Sequence, residues 1–319
     1  MAAVAPGERL PLLVLTGPTG SGKTAWALAL AQEAPVEVVS VDSALVYRGL
    51  DIGTAKPDPG VRARIPHHRI DGCDAAERYS AGQFVREARA AIGQIHARGR
   101  VPLLVGGTML YLKALFTGLA RLPAARPELR RELDERARRL GWPALHAELA
   151  ALDPQAAARI APADAQRIQR ALEVCLTTGE PISRLQRATV SPFQGWPVRR
   201  WVLAPGDRSA LHARLAVRFE GMMAAGFLEE VRSLRARAEL TAEHPSMRSV
   251  GYRQLWAHLD GACELGEAVG RGIAATRQLA KRQLTWMRSE ASGQWIDPLH
   301  TQPLSWIRDT RAWLADFGL

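Results

Sequence analysis

The sequence predicts an α/β fold with a parallel sheet flanked by helices, together with one all-helical insertion domain. Short apolar runs at 12–16, 36–41 and 101–105 have the length and composition of buried strands. Helical segments lie between them, and this alternation is typical of a parallel sheet. From about 121 to 189 the strand-like runs stop and Arg-rich helical segments follow one another.

Composition narrows the class of protein. The 319 residues suggest about two domains, and 47% hydrophobic with 23% charged residues is ordinary for a globular chain. No apolar run approaches the ~18 residues of a membrane span. Residues 1–11 carry Glu8 and Arg9 and lack the apolar core of an export signal. Only three widely spaced cysteines occur, so we expect no disulfide framework and a cytoplasmic location.

The first elements surround a glycine-rich turn. The strand at 12–16 ends at the sequence GPTGSGKT, a helix is expected over 23–33, and the strand at 36–41 ends at Asp42. Ser80 and Gln83 form a capping-box pattern that opens a helix running to about 98. The strand at 101–105 then ends at Gly-Gly-Thr108, before a further helix.

The sheet is expected to resume after the insertion. Residues 198–204 are strand-like, and helices are expected at about 208–238, 251–259 and 269–290. The predicted core therefore comprises 1–120 and 190–319, and the insertion comprises 121–189.

Residues 17–24 match the phosphate-binding pattern G-x-x-x-x-G-K-[ST] between a strand and a helix, as a P-loop NTPase-like core requires. Backbone amides of such a loop surround a polyphosphate, as in many nucleotide-binding and ATP-binding proteins. Lys23 is expected to neutralise phosphate oxygens and Thr24 to bind Mg²⁺. The motif indicates a polyphosphate and does not by itself specify ATP. The diphosphate-binding candidates are Gly17, Pro18, Thr19, Gly20, Ser21, Gly22, Lys23 and Thr24.

An acidic residue, Asp42, follows the second predicted strand, whereas none follows the third. The strand at 101–105 lacks the terminal carboxylate of a nucleotide-hydrolysing motor, whereas Asp42 follows the strand at 36–41. Ligands of open α/β sheets bind at the carboxyl ends of strands, so Asp42 is expected near the phosphate loop. It is a candidate metal-shell carboxylate or general base; capping a helix begun at Ser43 is the structural alternative. Thr108 is expected to place a hydroxyl at the same edge, and this is compatible with a tight turn formed by the two glycines before it.

A net charge of +10 favours a polyanionic partner, although solvated helix faces would also explain it. Between 270 and 289 there are five cations and no acid, and at helical spacing they share one face. Gln283 interrupts the opposite, apolar face, which predicts a polar contact there. The segment 248–253 combines two arginines with Tyr252, suitable for holding an unpaired base. Arg218 is either a ligand of the leaving phosphate or an exposed helical arginine.

Two adjacent histidines, His67 and His68, would point to opposite faces of a strand, so we expect local polar roles and no metal site.

Several motifs together resemble one family, the bacterial tRNA dimethylallyltransferases, also called tRNA isopentenyltransferases. The resemblance extends over almost the whole chain and implies a P-loop core with a helical insertion. It also implies transfer of a dimethylallyl group from its diphosphate to N6 of the adenosine 3′ of the tRNA anticodon, with Mg²⁺ as cofactor. We expect the enzyme to be a monomer. The motifs are GPTGSGKT at 17–24, SVDSALVYRGLDIGTAKP at 40–57, PHHRID at 66–71, PLLVGGTMLY at 102–111, QRIQRALEV at 166–174, SVGYRQ at 249–254 and TRQLAKRQLTWMR at 276–288.

The resemblance assigns roles to matching positions. Asp42 would be the base, Arg218 would face the diphosphate, and Thr24 would act with Mg²⁺; these three are the catalytic candidates. One departure is Ala163-Asp164, where the family pattern has Asn-Asp. The tRNA-binding candidates are Asp42, Ser43, Ala44, Leu45, Thr108, Arg130, Gln166, Arg167, Ile168, Gln169, Arg170, Arg248, Ser249, Val250, Gly251, Tyr252, Arg253, Lys281, Arg282, Gln283, Leu284, Thr285, Trp286, Met287 and Arg288.

Three alternatives compete with tRNA prenylation. An adenylate isopentenyltransferase would share the loop and Asp42 but would not need the insertion or the basic helix. A small-molecule P-loop kinase would transfer phosphate from ATP. A non-catalytic RNA-binding protein would bind RNA without responding to dimethylallyl diphosphate.

Overall fold

The computed structural model describes residues 10–120, 122–187, 189, 191–290 and 293–319. Most of the N-terminal segment used above to predict the absence of an export signal, residues 1–9, lies outside the described residues. Arg121, where the insertion is predicted to begin, lies outside them as well.

The described residues contain one parallel sheet of six strands, in the order β3-β2-β4-β1-β5-β6. This confirms the predicted fold class. All five residues of β1 are buried, as expected for a central parallel strand with helices on both faces. The strands are β1 (Leu12–Thr16), β2 (Val36–Ser40), β3 (His67–His68), β4 (Val101–Gly106), β5 (Val198–Leu203) and β6 (Gln294–Ile296).

Helices account for most of the remaining described residues. They are α1 (Lys23–Glu33), α2 (Pro59–Arg64), α3 (Ala81–Ala97), α4 (Met109–Thr117), α5 (Pro127–Leu140), α6 (Trp142–Leu152), α7 (Pro154–Ala157), α8 (Ala165–Thr178), α9 (Ile182–Arg187), α10 (Arg208–Ala224), α11 (Phe227–Arg235), α12 (Tyr252–Leu259), α13 (Leu265–Ser289) and α14 (Pro303–Ala315).

Two helices cover one face of the sheet. Trp26 of α1 and Trp306 of α14 lie with ring centroids 5.4 Å apart, and Trp306 also meets Trp201 of β5 at 5.3 Å. These rings belong to the main hydrophobic core together with alternate residues of the strands. Helix α3 begins where Ser80 accepts a hydrogen bond from the Gln83 amide, and it packs against β2 and β4. Because β1, β2 and β4 pair in parallel, their carboxyl ends lie at one edge of the sheet.

The predicted continuous helix at 208–238 is wrong. The chain forms α10 and α11 instead, separated at Gly226, whose φ of 97° cannot continue a right-handed helix. The short edge strand β6 and the helix α14 were not predicted either, whereas His67 and His68, considered above as strand residues, form the edge strand β3. Helix α14 fills the core mainly through aromatic and aliphatic side chains, which carry no distinctive sequence motif.

The chain divides into two compact units. One comprises the described residues up to Ala114 and from Gly195 onward, and the other comprises Leu115–Gln194. The sequence predicts that the insertion spans 121–189, and the unit in the structure is longer at both ends. Phe116 and Phe193 lie just outside the predicted bounds, and their ring centroids are 5.7 Å apart. The second unit contains its own hydrophobic core, formed by α5 to α9.

Candidate active site

The glycine-rich segment 17–24 runs from the end of β1 into the first two residues of α1. Gly22 precedes the helix with φ 93°, a left-handed conformation that glycine adopts without strain. At Gly17 a Cβ atom would fall 2.2 Å from the carbonyl oxygen of Leu203, so a larger residue cannot be accommodated. The backbone amides that open α1 have no partners within the helix and form the region expected to receive phosphate.

Lys23 directs its ammonium group across this loop. Its Nζ donates a hydrogen bond of 2.7 Å to the carbonyl oxygen of Pro18. Burial lowers the pKa of Lys23 to about 8; the nearby Asp42 carboxylate raises it and Arg218 lowers it further. Thr24, the next residue, is exposed and lines the adjoining cavity. The loop thus has one titratable cation, and two hydroxyl-bearing residues, Thr19 and Thr24, both line the cavity.

Asp42 has two differently placed carboxylate oxygens. Its Oδ1 accepts hydrogen bonds from the amides of Ala44 at 2.8 Å and Leu45 at 3.4 Å. No hydrogen bond within the described part of the chain occupies Oδ2, and the residue lines the cavity. Residues 43–46 form a turn and not the helix considered above. The structural and chemical interpretations of Asp42 are therefore compatible, one for each oxygen.

Thr108 connects the ends of β4 and β2. Its Oγ1 accepts a hydrogen bond of 3.0 Å from the Ser43 amide, and its own amide donates to the Val41 carbonyl oxygen. Gly106 permits this approach, since a Cβ there would lie 2.0 Å from the same oxygen of Val41. These two hydrogen bonds of Thr108 therefore stabilise the turn that follows Asp42.

Arg218 reaches the loop from α10. Its Nη1 lies 3.4 Å from Thr19 Oγ1 and its Nη2 lies 3.5 Å from the Thr54 carbonyl oxygen. Burial lowers the pKa of Arg218, and the charge of Asp42 opposes that shift. Arg218 forms no ion pair among the described residues. A half-buried guanidinium without a carboxylate partner is suited to bind an anionic ligand.

These groups line one cavity that opens to solvent. The predicted catalytic residues Thr24, Asp42 and Arg218 all contribute to its wall. Apolar side chains, including Phe219 and Leu279, form another part of the wall. The cavity therefore combines a cationic loop, a carboxylate and an apolar surface, as a reaction between a polyphosphate ester and an organic acceptor requires.

Glu230 was not predicted from the sequence, although it supports the cavity wall. Its carboxylate accepts hydrogen bonds from three successive amides, those of Asp51, Ile52 and Gly53, at 3.0, 2.6 and 3.1 Å. The hydroxyl of Tyr252 donates a fourth, at 2.5 Å. Glu230 therefore fixes the turn that precedes Thr54. Its only signal in the sequence is an acidic pair at 229–230, which is unremarkable on a helix.

The segment 248–253 differs from its prediction at its aromatic residue. Tyr252 is fully buried, and its ring centroid lies 4.9 Å from that of Phe227. The prediction that a base stacks on Tyr252 is therefore wrong. Burial raises the pKa of Tyr252, with Glu230 adding to the effect. Gly251 precedes α12 with φ 92°, while Arg248 pairs with Glu243. Arg253 is exposed, and Ser249 and Val250 line the cavity.

Helix α13 separates the predicted basic segment into two faces. Lys281, Arg282, Thr285 and Arg288 are exposed, whereas Met287 is buried. Leu284 packs on α10, and Trp286 is half-buried. Gln283 makes the expected polar contact: its Oε1 accepts from the Thr19 amide at 2.9 Å, and its Nε2 donates to the Gly107 carbonyl oxygen at 3.0 Å. The predicted segment thus contains both exposed cations and an internal contact to the phosphate loop.

In the unit Leu115–Gln194, several predicted RNA-contacting residues bind within the unit. Arg130 and Arg170 both contact Glu173, whose side chain is fully buried. Burial would raise the pKa of Glu173, but the two arginines and the Arg126 amide hold it below its usual value.

The segment 166–170 of this unit is divided between interior and surface. Gln169 donates to Asp134, and Ile168 is buried. Gln166 and Arg167 are exposed. Asp164, beside the departure from the family pattern, accepts from the Arg167 amide and caps α8.

The two histidines have local partners. His67 Nδ1 contacts the Ile65 carbonyl oxygen and His68 Nε2 contacts Glu37, each at 2.7 Å. Across the described ranges, no helix is both long and apolar enough to cross a membrane.

Two family models match the chain. The model described as IPP transferase covers residues 45–290, and the model described as Isopentenyl transferase covers residues 10–61. A tRNA dimethylallyltransferase of Bordetella petrii is 58% identical over 291 residues, which is 91% of this chain and 93% of that protein.

Solved structures agree in fold. The tRNA isopentenylpyrophosphate transferase of Bacillus halodurans is 35% identical, with a TM-score of 0.69 and 96% of each chain covered. A eukaryotic dimethylallyltransferase acting on tRNA is 28% identical, with a TM-score of 0.76 over 90% of this chain and 74% of that one.

Proposed function

The chain belongs to the IPP transferase family, and from this premise we propose that it transfers a dimethylallyl group from dimethylallyl diphosphate to N6 of the adenosine 3′ of the tRNA anticodon. It is a prenyltransferase that acts on tRNA. The identity of the donor, the modified atom and the position in the anticodon loop are the proposed details. The adenylate-directed alternative is not favoured by the matched relatives.

One observation carries the chemical part of the proposal. The unpartnered Oδ2 of Asp42, the phosphate loop and Arg218 line the same cavity. A carboxylate beside a cationic phosphate site can accept a proton from an amine while an anionic group leaves.

The reaction needs both groups because each reactant is poorly suited to react alone. The N6 amine of adenine is a weak nucleophile, since its lone pair is delocalised into the ring. As its bond to the allylic carbon forms, the bond from that carbon to the diphosphate oxygen breaks. The electron pair leaves with the diphosphate, and we assign the amine proton to Oδ2 of Asp42, as general-base catalysis requires.

The departing diphosphate gains negative charge, which the cationic part of the cavity stabilises. Lys23, Arg218 and the amides that open α1 provide positive charge and hydrogen-bond donors there. Of the two cations, Arg218 remains charged throughout the physiological pH range, whereas the pKa of about 8 makes Lys23 sensitive to pH.

The proposal includes Mg²⁺, and Thr24 fits it. This residue offers an accessible hydroxyl oxygen at the end of the phosphate loop, the ligand that a loop of this pattern presents to Mg²⁺. Within the described ranges, no group of three or more His, Cys, Asp or Glu could hold a metal. The donor diphosphate and water would therefore complete its coordination. When bound, Mg²⁺ would neutralise part of the charge on the diphosphate.

The proposed RNA surface rests on exposed cations. Lys281, Arg282 and Arg288 of α13 form no ion pair among the described residues, and Arg253 is likewise unpaired. Such residues can neutralise RNA phosphates and so offset the few kcal/mol needed to unstack a loop base. Arg167, exposed in the unit Leu115–Gln194, is proposed separately as an RNA contact of that unit.

The proposal is tested by incubating the protein with labelled dimethylallyl diphosphate and bulk tRNA, followed by nucleoside analysis. Label in N6-dimethylallyladenosine 3′ of the anticodon is the expected result, without any need for ATP. AMP and an anticodon stem-loop are compared as acceptors in parallel; preference for AMP contradicts the proposal. Gel filtration and cell fractionation test its remaining parts, a monomer located in the cytoplasm.

A further inference from the structure

We propose that Gln283 is a positioning residue for the donor diphosphate, acting through the phosphate loop instead of contacting tRNA. The inference rests on the proposed function only in assigning the loop at 17–24 to a diphosphate. Gln283 belongs to the basic helix α13, but its side chain points away from the exposed cations and bonds to the loop and to Gly107.

The two hydrogen bonds use the whole amide group. Oε1 accepts from the Thr19 amide at 2.9 Å, and Nε2 donates to the Gly107 carbonyl oxygen at 3.0 Å. The side-chain amide supplies both the acceptor and the donor that this arrangement needs, whereas a methionine side chain of similar length supplies neither in comparable strength. Gln283 therefore links the loop after β1 to the turn after β4, although Thr19 and Gln283 are 264 residues apart in sequence.

The peptide between Pro18 and Thr19 is consequently held from both sides. Its carbonyl oxygen accepts from Lys23 Nζ at 2.7 Å, while its amide donates to Gln283. The Thr19 hydroxyl lies 3.4 Å from Arg218. Rotation of the 18–19 peptide would therefore displace the Pro18 carbonyl oxygen from Lys23 and the Thr19 hydroxyl from Arg218, the two cations assigned to the diphosphate.

Gly107 provides independent support for the same contact. A Cβ at this position would lie 2.4 Å from Gln283 Nε2 and 3.0 Å from the Gly17 carbonyl oxygen. The Gln283 amide thus occupies the space that a side chain at position 107 would need. Any larger residue there must displace either this amide or the phosphate loop. Gly107→Ala is therefore a second way to disturb this link without changing Gln283.

The expected consequence is a loss of preorganisation in the donor site. Without the link, the 18–19 peptide must be ordered when the diphosphate binds, and that ordering weakens affinity. We expect Gln283→Met, of similar length but without the hydrogen bonds, to weaken binding of inorganic diphosphate about tenfold, which equals ~1.4 kcal/mol. Affinity for an anticodon stem-loop should remain unchanged.

The experiment measures inorganic diphosphate binding by titration calorimetry with Mg²⁺ present, and RNA binding separately by filter retention. Gln283→Met and Gly107→Ala are compared with Gln278→Met, which makes the same change at an exposed position of the same helix. Both test variants should bind diphosphate more weakly and raise the donor KM, whereas the control should bind it as the native protein does. Because diphosphate binding is measured without prenyl transfer, this result is independent of which acceptor the enzyme uses.

Three outcomes overturn the inference. Unchanged diphosphate affinity in both Gln283→Met and Gly107→Ala means that the link does not position the loop. Tighter binding means that the Thr19 amide is better used by the ligand than by Gln283. Weakened RNA binding with unchanged diphosphate binding means that Gln283 contributes to RNA binding and not to the donor site. If one variant does not fold, the other still decides between these outcomes.

Discussion

The two carboxylate oxygens of Asp42 allow its chemical and structural contributions to be separated. Oδ1 accepts the Ala44 and Leu45 amides, whereas Oδ2 is the proposed proton acceptor. In Asp42→Asn the side-chain oxygen must face those two amides, because an amide nitrogen there would oppose two N–H donors. The turn is then retained while the base is lost, so we expect turnover to fall about 10²–10⁴-fold with little change in stability.

Asp42→Ala removes the base and the turn contacts together. It should lose turnover to the same extent and, in addition, about 1 kcal/mol of unfolding free energy, the usual net contribution of a side-chain hydrogen bond to a backbone amide. Single-turnover transfer of labelled dimethylallyl groups to a saturating anticodon stem-loop measures the chemical step. Urea unfolding measures stability, and filter retention verifies that RNA affinity persists. An Asn variant that transfers at a nearly native rate would refute the assignment of Oδ2 as the base.

Other residues give further predictions. Lys23 loses its charge above about pH 8, so the affinity for the donor, measured by calorimetry, should weaken as the pH rises through that value. In Lys23→Arg the affinity should not change with pH. If the affinity of the native protein is equally independent of pH, the titration of Lys23 does not control donor binding. Glu230→Gln leaves fewer acceptors for three amides and should cost about 1–3 kcal/mol in urea unfolding, against ~0.5 kcal/mol or less for exposed Glu229→Gln. Equal losses would argue against the turn contact. Lys281→Ala should reduce the slope of log RNA affinity against log salt by about 1, and an unaltered slope removes Lys281 from the phosphate contacts.

The sheet and the phosphate loop could be predicted because their signals are local. An apolar run followed by GPTGSGKT specifies a strand, a turn and a helix within a few consecutive residues. Asp42 followed from the rule that strand ends meet at one edge of a parallel sheet. The cavity in the structure combines these elements with Arg218, which required knowledge of where α10 returns.

The supporting contacts could not be predicted because they join distant parts of the chain. Glu230 binds amides that lie 177 to 179 residues away, and no spacing rule identifies such a partner. For Gln283 the helical pattern correctly indicated a polar contact, but not that the contact is the Thr19 amide. Tyr252 shows the opposite error, since an aromatic residue between two arginines suggested stacking although its ring is in the core.

The most direct test of the central claim is a crystal structure with an unreactive dimethylallyl diphosphate analogue and an anticodon stem-loop bound together. We predict that the analogue's diphosphate lies in the loop at 17–24, and that the N6 amine of an unstacked adenine donates a hydrogen bond to Oδ2 of Asp42. An amine held beyond hydrogen-bonding distance of that oxygen, with the diphosphate seated in the loop, would contradict the account.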